Sequence, residues 1–574
     1  MSDTSSITSP LFKILVDGSE LDPAQANNIL QIKISDFLRL PDICTVGVGF
    51  PPADASDPFR GLDESPFNVG STLEVKLGAT DQNTTQTLFK GEIVTLEPSF
   101  ESGSVAMVVR AYDQSHRMMR SRKLRAFNQQ SIGDIAQKLC SENGISLAVA
   151  DSPGGPLDYV IQHNESDWDF MWRLLDRIGF EFVLDDTNAS IGKPGVHSDE
   201  VELKFPDDIP SFRPRITAVQ QVDSVTVHGF DHNAKSKIVS ESSSPGQVTS
   251  AGIDRDSVTG LFGESKIEIV GQSFRSQEEA DKMSQSQLDQ LANAYVAAVG
   301  ETDGNPAIKA GVKLKISGVG ASFSGTYRAV RVEHTISSGG AYTTKFFNSI
   351  GDHTLIGQSG GAGGGTHIDS LIGGIVTNNN DPDQMGRVKV KLPAVDEQES
   401  FWAPVALPAA GNERGLSMLP VPDEQVIVGF ENGDPSYPYV LGSVFNGSDQ
   451  PGSELAVNDG SYAMKSDHKA LFAAKEDITI RTDGGKMIIQ VKGGEITETV
   501  NAGQGGQGSY TGQFDGEFKV KATQGITVES NMQVEIKAPM ITIEAQGPLQ
   551  IKGNPVQIDG QSMVTISGGM INLG

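Results

Sequence analysis

The last hundred residues alternate apolar and polar positions more regularly than any other part of the chain. Apolar pairs two residues apart recur at Phe518/Val520, Ile526/Val528, Val534/Ile536, Ile541/Ile543, Leu549/Ile551, Val556/Ile558, Val564/Ile566 and Ile571/Leu573. Their first members are separated by 8, 8, 7, 8, 7, 8 and 7 residues. Lys519, Thr527, Glu535, Thr542, Gln550, Gln557 and Thr565 lie between the paired positions. A period of two puts both apolar side chains on one face of a strand and the polar one on the other. Turn formers such as Gly525, Pro539, Gly547, Pro548, Gly553, Pro555, Gly560 and Gly568 separate these strands. The pattern begins at Ile478/Ile480 and Ile489/Val491 and is interrupted by the glycine-rich stretch 501–514. A repeat this short cannot bury its apolar face alone, so the strands must stack. Two closures fit the spacing. Three chains can each supply one face of a triangular prism, or one chain can wind three repeats per coil, as the step from Phe518 to Ile541 would allow. Either closure gives a stiff, narrow rod with little concave surface for a substrate, which reads as mechanical.

Upstream the periodicity changes. Phe170, Leu174 and Ile178 fall on one helical face with Met171 and Leu175 beside them. Ser166 is placed to cap this helix with Asp169 three residues on, and Gly179 ends it. His163 and its acidic neighbours belong to this capped helix; they lack metal-ligand spacing. Val225–Phe230 reads as a strand ending, which keeps His228 and His232 off one shared face. The chain divides at compositional breaks. Residues 1–357 mix strands with a few helices, 358–367 are a glycine-rich linker, 368–447 are strand-like, 448–475 form a polar connector, and 476–574 carry the repeat.

Composition narrows the function classes. Glycine supplies 64 of 574 residues, about 11%, against about 7% in average usage, which favours turns and short strands. The formal charge of −28 argues against general nucleic-acid binding and against adsorption to anionic membranes. The one strongly basic run, His116 to Arg125, reads as an inter-subunit contact or a solvated face. Cys44 and Cys140 cannot build a disulfide framework and read as buried small apolar residues. The polar start, Met1 to Pro10, is no signal peptide, and no apolar run reaches membrane-span length. Synthesis and folding in a bacterial cytoplasm are expected. No phosphate loop, dinucleotide fingerprint, nucleophile elbow or zinc-protease motif is present, and no carboxylate pair is singled out by spacing. No catalytic residue, cofactor or metal site is expected.

A family resemblance enters at the second zone. Gly373-Gly-Ile-Val-Thr, Asp381-Pro-Asp-Gln-Met-Gly-Arg-Val-Lys-Val-Lys-Leu-Pro393, Phe401-Trp-Ala-Pro-Val-Ala and the run Val426 to Asn446 closely resemble the OB-fold of VgrG-type spike proteins and the related central needle of contractile phage tails. Gly429 to Asn446 is the most specific part. Pro422-Asp-Glu-Gln-Val departs from the family, which commonly has a glycine before the acidic pair. Ser121-Arg-Lys-Leu-Arg-Ala-Phe, Ser131-Ile-Gly-Asp-Ile-Ala, Glu165-Ser-Asp-Trp-Asp-Phe, Ser273-Phe-Arg-Ser-Gln-Glu-Glu-Ala-Asp and Phe323-Ser-Gly-Thr-Tyr-Arg resemble its hub, which phage late-control tail proteins share.

The resemblance implies a mainly β chain with a few helices: a hub of two barrel-like halves, an OB-fold collar and a C-terminal trimeric triangular β-helix. It favours the three-chain closure. It implies a homotrimeric, non-enzymatic spike that seeds the inner tube and pierces a target envelope when a sheath contracts. The implied partners are the inner tube protein, baseplate proteins, effector cargo and a PAAR-type tip cap, with no nucleic acid and no stable membrane insertion. Met570, Ile571, Asn572, Leu573 and Gly574 are the expected cap contact, since the family's iron-binding His-x-His tip is missing and exposed Ile571 and Leu573 from three chains would form a sticky patch. A peptidoglycan-degrading spike and a receptor-binding trimeric fibre are the rival readings. The 28-residue connector at 448–475 is too short for a glycosidase, and no tip domain follows the repeat. Among phage tails, type VI secretion machines and extracellular injection particles, the short needle favours a phage-like particle or an extracellular system.

Overall fold

Strand Ile43–Phe50 buries Cys44, Val46, Val48 and Phe50 while the residues between them stay half-buried, the alternation a one-sided sheet requires. It pairs antiparallel with Ile29–Phe37 on one side and Ser104–Tyr112 on the other. These three belong to an eleven-stranded sheet that runs through both halves of the hub. The halves are joined where Arg331–Ser337 pairs antiparallel with Ile29–Phe37, setting Val332 against Asp36 and Ile336 against Ile32. The expected barrel-like halves therefore share one hydrogen-bonded sheet. Their cores remain distinct. Ile32, Val46, Leu73, Val75 and Val109 lie in the first, and Leu314, Tyr327, Val332 and Phe346 in the second.

The structure is a computed structural model that describes residues 11–573 apart from 52–59, 79–85, 102–103, 196–198, 220, 247–248, 275, 339–340, 350–369, 395, 457–460, 485, 493 and 501–508. The expected linker at 358–367 and the glycine-rich interruption from 501 to 508 lie outside the described residues. So does Gly574. The chain forms two units, Met1–Lys465 and Ser466–Gly574. Among the described residues no helix is long and apolar enough to cross a membrane.

Between the hub halves, the hairpin Arg122–Gln130/Leu157–Ser166 carries two helices, Ile132–Glu142 and Asp167–Ile178. The second helix forms as its sequence requires. Asp169 N–H donates to Ser166 Oγ at 3.0 Å, and the Ser166 hydroxyl donates to the Asp169 carboxylate at 2.7 Å. Phe170, Met171, Leu174 and Leu175 are buried. Gly179 closes the helix at φ 67°, a left-handed conformation that glycine adopts without strain; a Cβ there would stand 3.2 Å from Ser286 on helix Gln277–Asn293. That longer helix covers the sheet formed by Ser224–Asp231, Ser236–Ser242 and Lys266–Ile269.

The collar is a six-stranded OB-type sheet built on Ile372–Asn378, Arg387–Leu392, Asp396–Glu399, Gln425–Phe430 and Pro438–Ser443, with Ala403–Pro404 paired to Arg387–Leu392. Val376, Val388, Val390, Val426, Val428 and Val440 fill it. The Asp381 to Arg387 motif is a turn stapled by one carboxylate. Asp381 accepts from the backbone N–H groups of Asp383 and Met385 and takes Arg387 in a two-pronged pair at 2.7 and 3.0 Å. At the departure from the family pattern, Asp423 takes φ 75° and donates its N–H to Val376 O at 2.8 Å. Aspartate is among the few non-glycine residues that tolerate this region; Pro422, which stands where the family has glycine, is not at positive φ.

In the second unit no described residue is paired into a strand within the chain, and every described residue is exposed. Both members of each apolar pair from Phe518/Val520 to Ile571/Leu573 face solvent. One chain therefore does not wind its own coil among these residues.

Candidate functional site: the hub–collar junction and the repeat face

The junction between hub and collar is the most extensive arrangement that joins distant parts of the first unit. The outer face of the Arg122–Gln130/Leu157–Ser166 hairpin supplies Ala126, Tyr159 and Ile161 to the collar core, where they pack with Val376, Val388 and Val428. Polar contacts ring this shared core. Ile161 N–H donates to Ser436 Oγ at 3.3 Å, and Asn128 Nδ2 to Glu399 O at 3.1 Å. Ser273 Oγ donates to Glu431 O at 3.2 Å and accepts from Asn432 Nδ2 at 3.2 Å. Arg177, near the end of helix Asp167–Ile178, donates to Ser273 O at 3.0 Å and lies 3.5 Å from Asp434 and 3.9 Å from Glu279. Burial opposes its charge, but Tyr437, Asp434 and Glu279 outweigh that effect and push its pKa up. Shared apolar packing and buried polar pairing resist sliding in different ways, so hub and collar behave as one piece. Sequence spacing does not single out Arg177, Ser273 or Asp434 as partners; Ser273 and Asp434 appear only as parts of the family motifs, and Arg177 in none of them.

The basic run from His116 to Arg125 divides into an internally paired part and an exposed part. Lys123 and Arg125 are committed to ion pairs within the chain, while Arg117, Met119, Arg120, Ser121, Arg122 and Leu124 are exposed as a solvated face requires. Lys123 Nζ donates to Asp167 at 2.6 Å, and Arg125 reaches Asp167 at 2.8 Å, Glu142 at 2.7 Å and Gln162 at 2.8 Å. The Asp167 side chain is only 2% exposed. Burial works against its charge, yet the bonds from Lys123, Gln162 and Asn143, with Arg125 nearby, hold its carboxyl below the usual range. Arg117 pairs with Glu92. Met119 and Arg120 remain exposed. His228 and His232 also separate: His228 lies inside its strand, 3.8 Å from Glu268, and His232 beyond it, 3.2 Å from Glu431. Among the described residues no group of three or more His, Cys, Asp or Glu side chains is arranged to hold a metal ion.

The fold also gathers three carboxylates that no spacing rule connects. Asp113 Oδ2 accepts from Asp42 N–H at 2.7 Å, Asp42 Oδ1 from Phe37 N–H at 2.9 Å, and Asp36 Oδ2 from Ala310 N–H at 2.8 Å. They line a cavity of about 420 Å3 with Lys309, Glu181 and Arg328. Burial and mutual repulsion push Asp42 well above its ordinary value, and burial lifts Asp36 to about 6 and raises Asp113. The folded state thus holds protons that the unfolded chain releases near pH ~3.9. For Asp36 the stabilisation is complete below that value and is lost as pH rises through about 6; the raised carboxyls of Asp42 and Asp113 act in the same direction. Asp42→Asn keeps an oxygen acceptor for Phe37 N–H and removes a carboxyl that is driven to take up a proton on folding. Its thermal midpoint should exceed the native one at pH 7, and the gap should narrow towards pH 4. Equal midpoints at both pH values would refute the cluster's strain.

The repeat face is the other candidate surface. Met570, Ile571 and Leu573 are 84, 47 and 88% exposed, and Asn572 between them is exposed as well. The structure therefore leaves four of the five expected tip-contact residues uncovered, and the fifth, Gly574, is outside the described residues.

Comparison with known proteins agrees with this architecture. A family model described as the Alg8 N-terminal domain matches residues 6–338, and one described as the type VI secretion system/phage-baseplate injector OB domain matches 372–445. The actin cross-linking toxin VgrG1 of Vibrio cholerae is 22% identical over 379 residues, covering 57% of this chain and 32% of that protein. The type VI secretion system spike protein VgrG3 of Vibrio cholerae is 36% identical over 92 residues, covering 15% of this chain and 8% of that protein. The spike protein VgrG1a of Pseudomonas aeruginosa is 36% identical over 89 residues, covering 15% and 14%. The chain thus spans a third or less of the length of these relatives. Among solved structures, a Francisella PdpA–VgrG complex aligns at 9% identity and a TM-score of 0.48, over 77% of this chain and 72% of that one. An E. coli component of the type VI secretion system aligns at 14% identity and a TM-score of 0.47, over 73% and 97%.

Proposed function

We propose, from the premise that this chain belongs to the Alg8 N-terminal domain family and is a VgrG-type spike protein with an injector OB domain, that it works as a homotrimeric puncturing spike. The observation that carries this reading is the repeat. Eight evenly spaced apolar pairs face water in the single chain, and no described strand there pairs within it. Three chains would cover those faces together and satisfy the strand edges, giving a dry, hydrogen-bonded β-helix rod. The hub would seed the inner tube and contact baseplate proteins. The fused hub–collar junction would pass axial force to the rod. Work would come from a contracting sheath, so the chain itself would act without a nucleotide, a cofactor or a catalytic step. Outward-facing charge of 3 × −28 = −84 would keep the trimer soluble.

Light scattering tests the assembly. The expected mass is three times the 61.0 kDa of one chain; a stable monomer overturns the reading. A turbidity assay on purified peptidoglycan tests the non-enzymatic role, and clearing by this chain alone would replace it with a hydrolase. We assign Met570 to Gly574 as the contact for a PAAR-type cap, a role supported by the exposure of Met570, Ile571 and Leu573. Deleting 548–574 should abolish capping, and persistence of the cap on that variant would remove the assignment.

A further inference from the structure

We propose that Leu261 and Phe262 of one copy seat in an apolar groove on the first half of the next copy around the ring. The inference rests on the trimeric reading and adds which surfaces meet. Leu261 and Phe262 are 67 and 86% exposed on the short turn Gly260–Phe262. The turn is held from beneath. It follows helix Arg255–Thr259, whose Arg255 is 2% exposed, donates to Val222 O and to Gln221 at 3.2 Å, and pairs with Asp256 at 3.0 Å. A rigidly anchored Leu-Phe knob loses little conformational freedom on docking, and its exposure in the single chain has no use there.

The groove lies on the other half of the hub. It encloses about 700 Å3 and is walled by Leu40, Ile43, Val69, Ile93 and Met119. Charge matches across the two surfaces. Arg120 is exposed on the groove wall and, among the described residues, forms no ion pair, while Arg117 nearby is neutralised by Glu92 of the same wall. Asp256, Glu264 and Glu268 flank the knob with side chains 71 to 76% exposed; Asp256 is paired with Arg255 and Glu264 with Lys266, which leaves Glu268, 3.8 Å from His228, as the acid without a Lys or Arg partner among them. Opposite rims steer the encounter and set its orientation, while the apolar centre supplies the affinity. Knob and groove occupy different halves of one chain, so the contact is head-to-tail and can close into a ring of three. Within a chain the halves are joined by sheet; between chains they would be joined here.

Engineered cysteines test this with little background, since Cys44 and Cys140 are buried and their thiols are pushed far up, Cys140 to about 12. Full-length Phe262→Cys and Met119→Cys chains are co-expressed and treated with a short bismaleimide. A covalent dimer is expected from the mixture and not from either variant alone. The double variant should give a covalent trimer, and adding Arg120→Glu should remove most of it. An assembly of trimer mass that yields no cross-link overturns the proposed contact and leaves the trimer standing. A monomer overturns both.

Discussion

Val534→Asp should abolish assembly of the C-terminal rod while hub and collar stay folded. Val534 is 54% exposed in the single chain, so the substitution disturbs no packing there. In a three-chain prism it would bury three carboxylates at one level of a dry core. Each buried ion costs several kcal/mol, which makes the total on the order of 10 kcal/mol per trimer before mutual repulsion is added. That is comparable to the whole stability of a typical domain. The trimer-mass species should therefore disappear, or persist only through the hub with a protease-sensitive C-terminal region. Glu535→Gln, one residue on, occupies the polar face and should change stability by less than about 0.5 kcal/mol. The contrast between adjacent positions separates a core face from general intolerance. A Val534→Asp trimer with native protease resistance would rule out the three-chain closure.

Arg387→Ala should unfold or loosen the collar, costing about 3–5 kcal/mol, because it leaves Asp381 charged and unpaired in the interior. The two side chains are 8 and 3% exposed. The pairing with Arg387 comes first among the causes that hold the Asp381 carboxyl at about 2. A depressed carboxyl stabilises the fold above its unfolded value near ~3.9 and loses that contribution as pH falls towards about 2. The native collar should thus weaken in acid through this window, and Arg387→Ala should remove most of that dependence. Adding Asp381→Asn to Arg387→Ala should recover part of the loss, since the amide oxygen still accepts from the Asp383 or Met385 backbone. Thermal unfolding, with proteolytic cleavage between 370 and 447 as the local readout, measures both. A native melting profile for Arg387→Ala would show that the pair is not what holds the turn.

Features written in short-range code are legible in the amino-acid order itself. The cap, apolar stripe and stop of helix Asp167–Ile178 lie within a few turns of one another, so local hydrogen bonding and periodicity suffice. The same holds for the alternation of the terminal repeat, whose period of two follows from strand geometry. The collar is legible through the motifs Asp381 to Pro393 and Gly429 to Asn446. The fold supplies the physical reason for the first: one carboxylate stapling a turn.

Features that depend on distant partners are not legible in this way. Lys123 and Arg125 read as a basic surface because their acceptor, Asp167, is 44 and 42 residues away. Asp36, Asp42 and Asp113 carry no shared spacing, yet they end up lining one cavity, with Asp113 buried and the other two half-buried. The union of the two hub halves in a single sheet depends on Arg331–Ser337 finding Ile29–Phe37 across most of the hub.

By itself, then, the sequence determined the cap, apolar stripe and stop of helix Asp167–Ile178, the period of two in the terminal repeat, and that the repeat's apolar face must be covered by stacking. Only the tertiary structure decided which charges are paired, which carboxylates are strained, and that hub and collar share a core. The division is physical: periodicity and capping act over a few residues, whereas desolvation and Coulomb energy depend on distances and burial that exist only once the chain has folded.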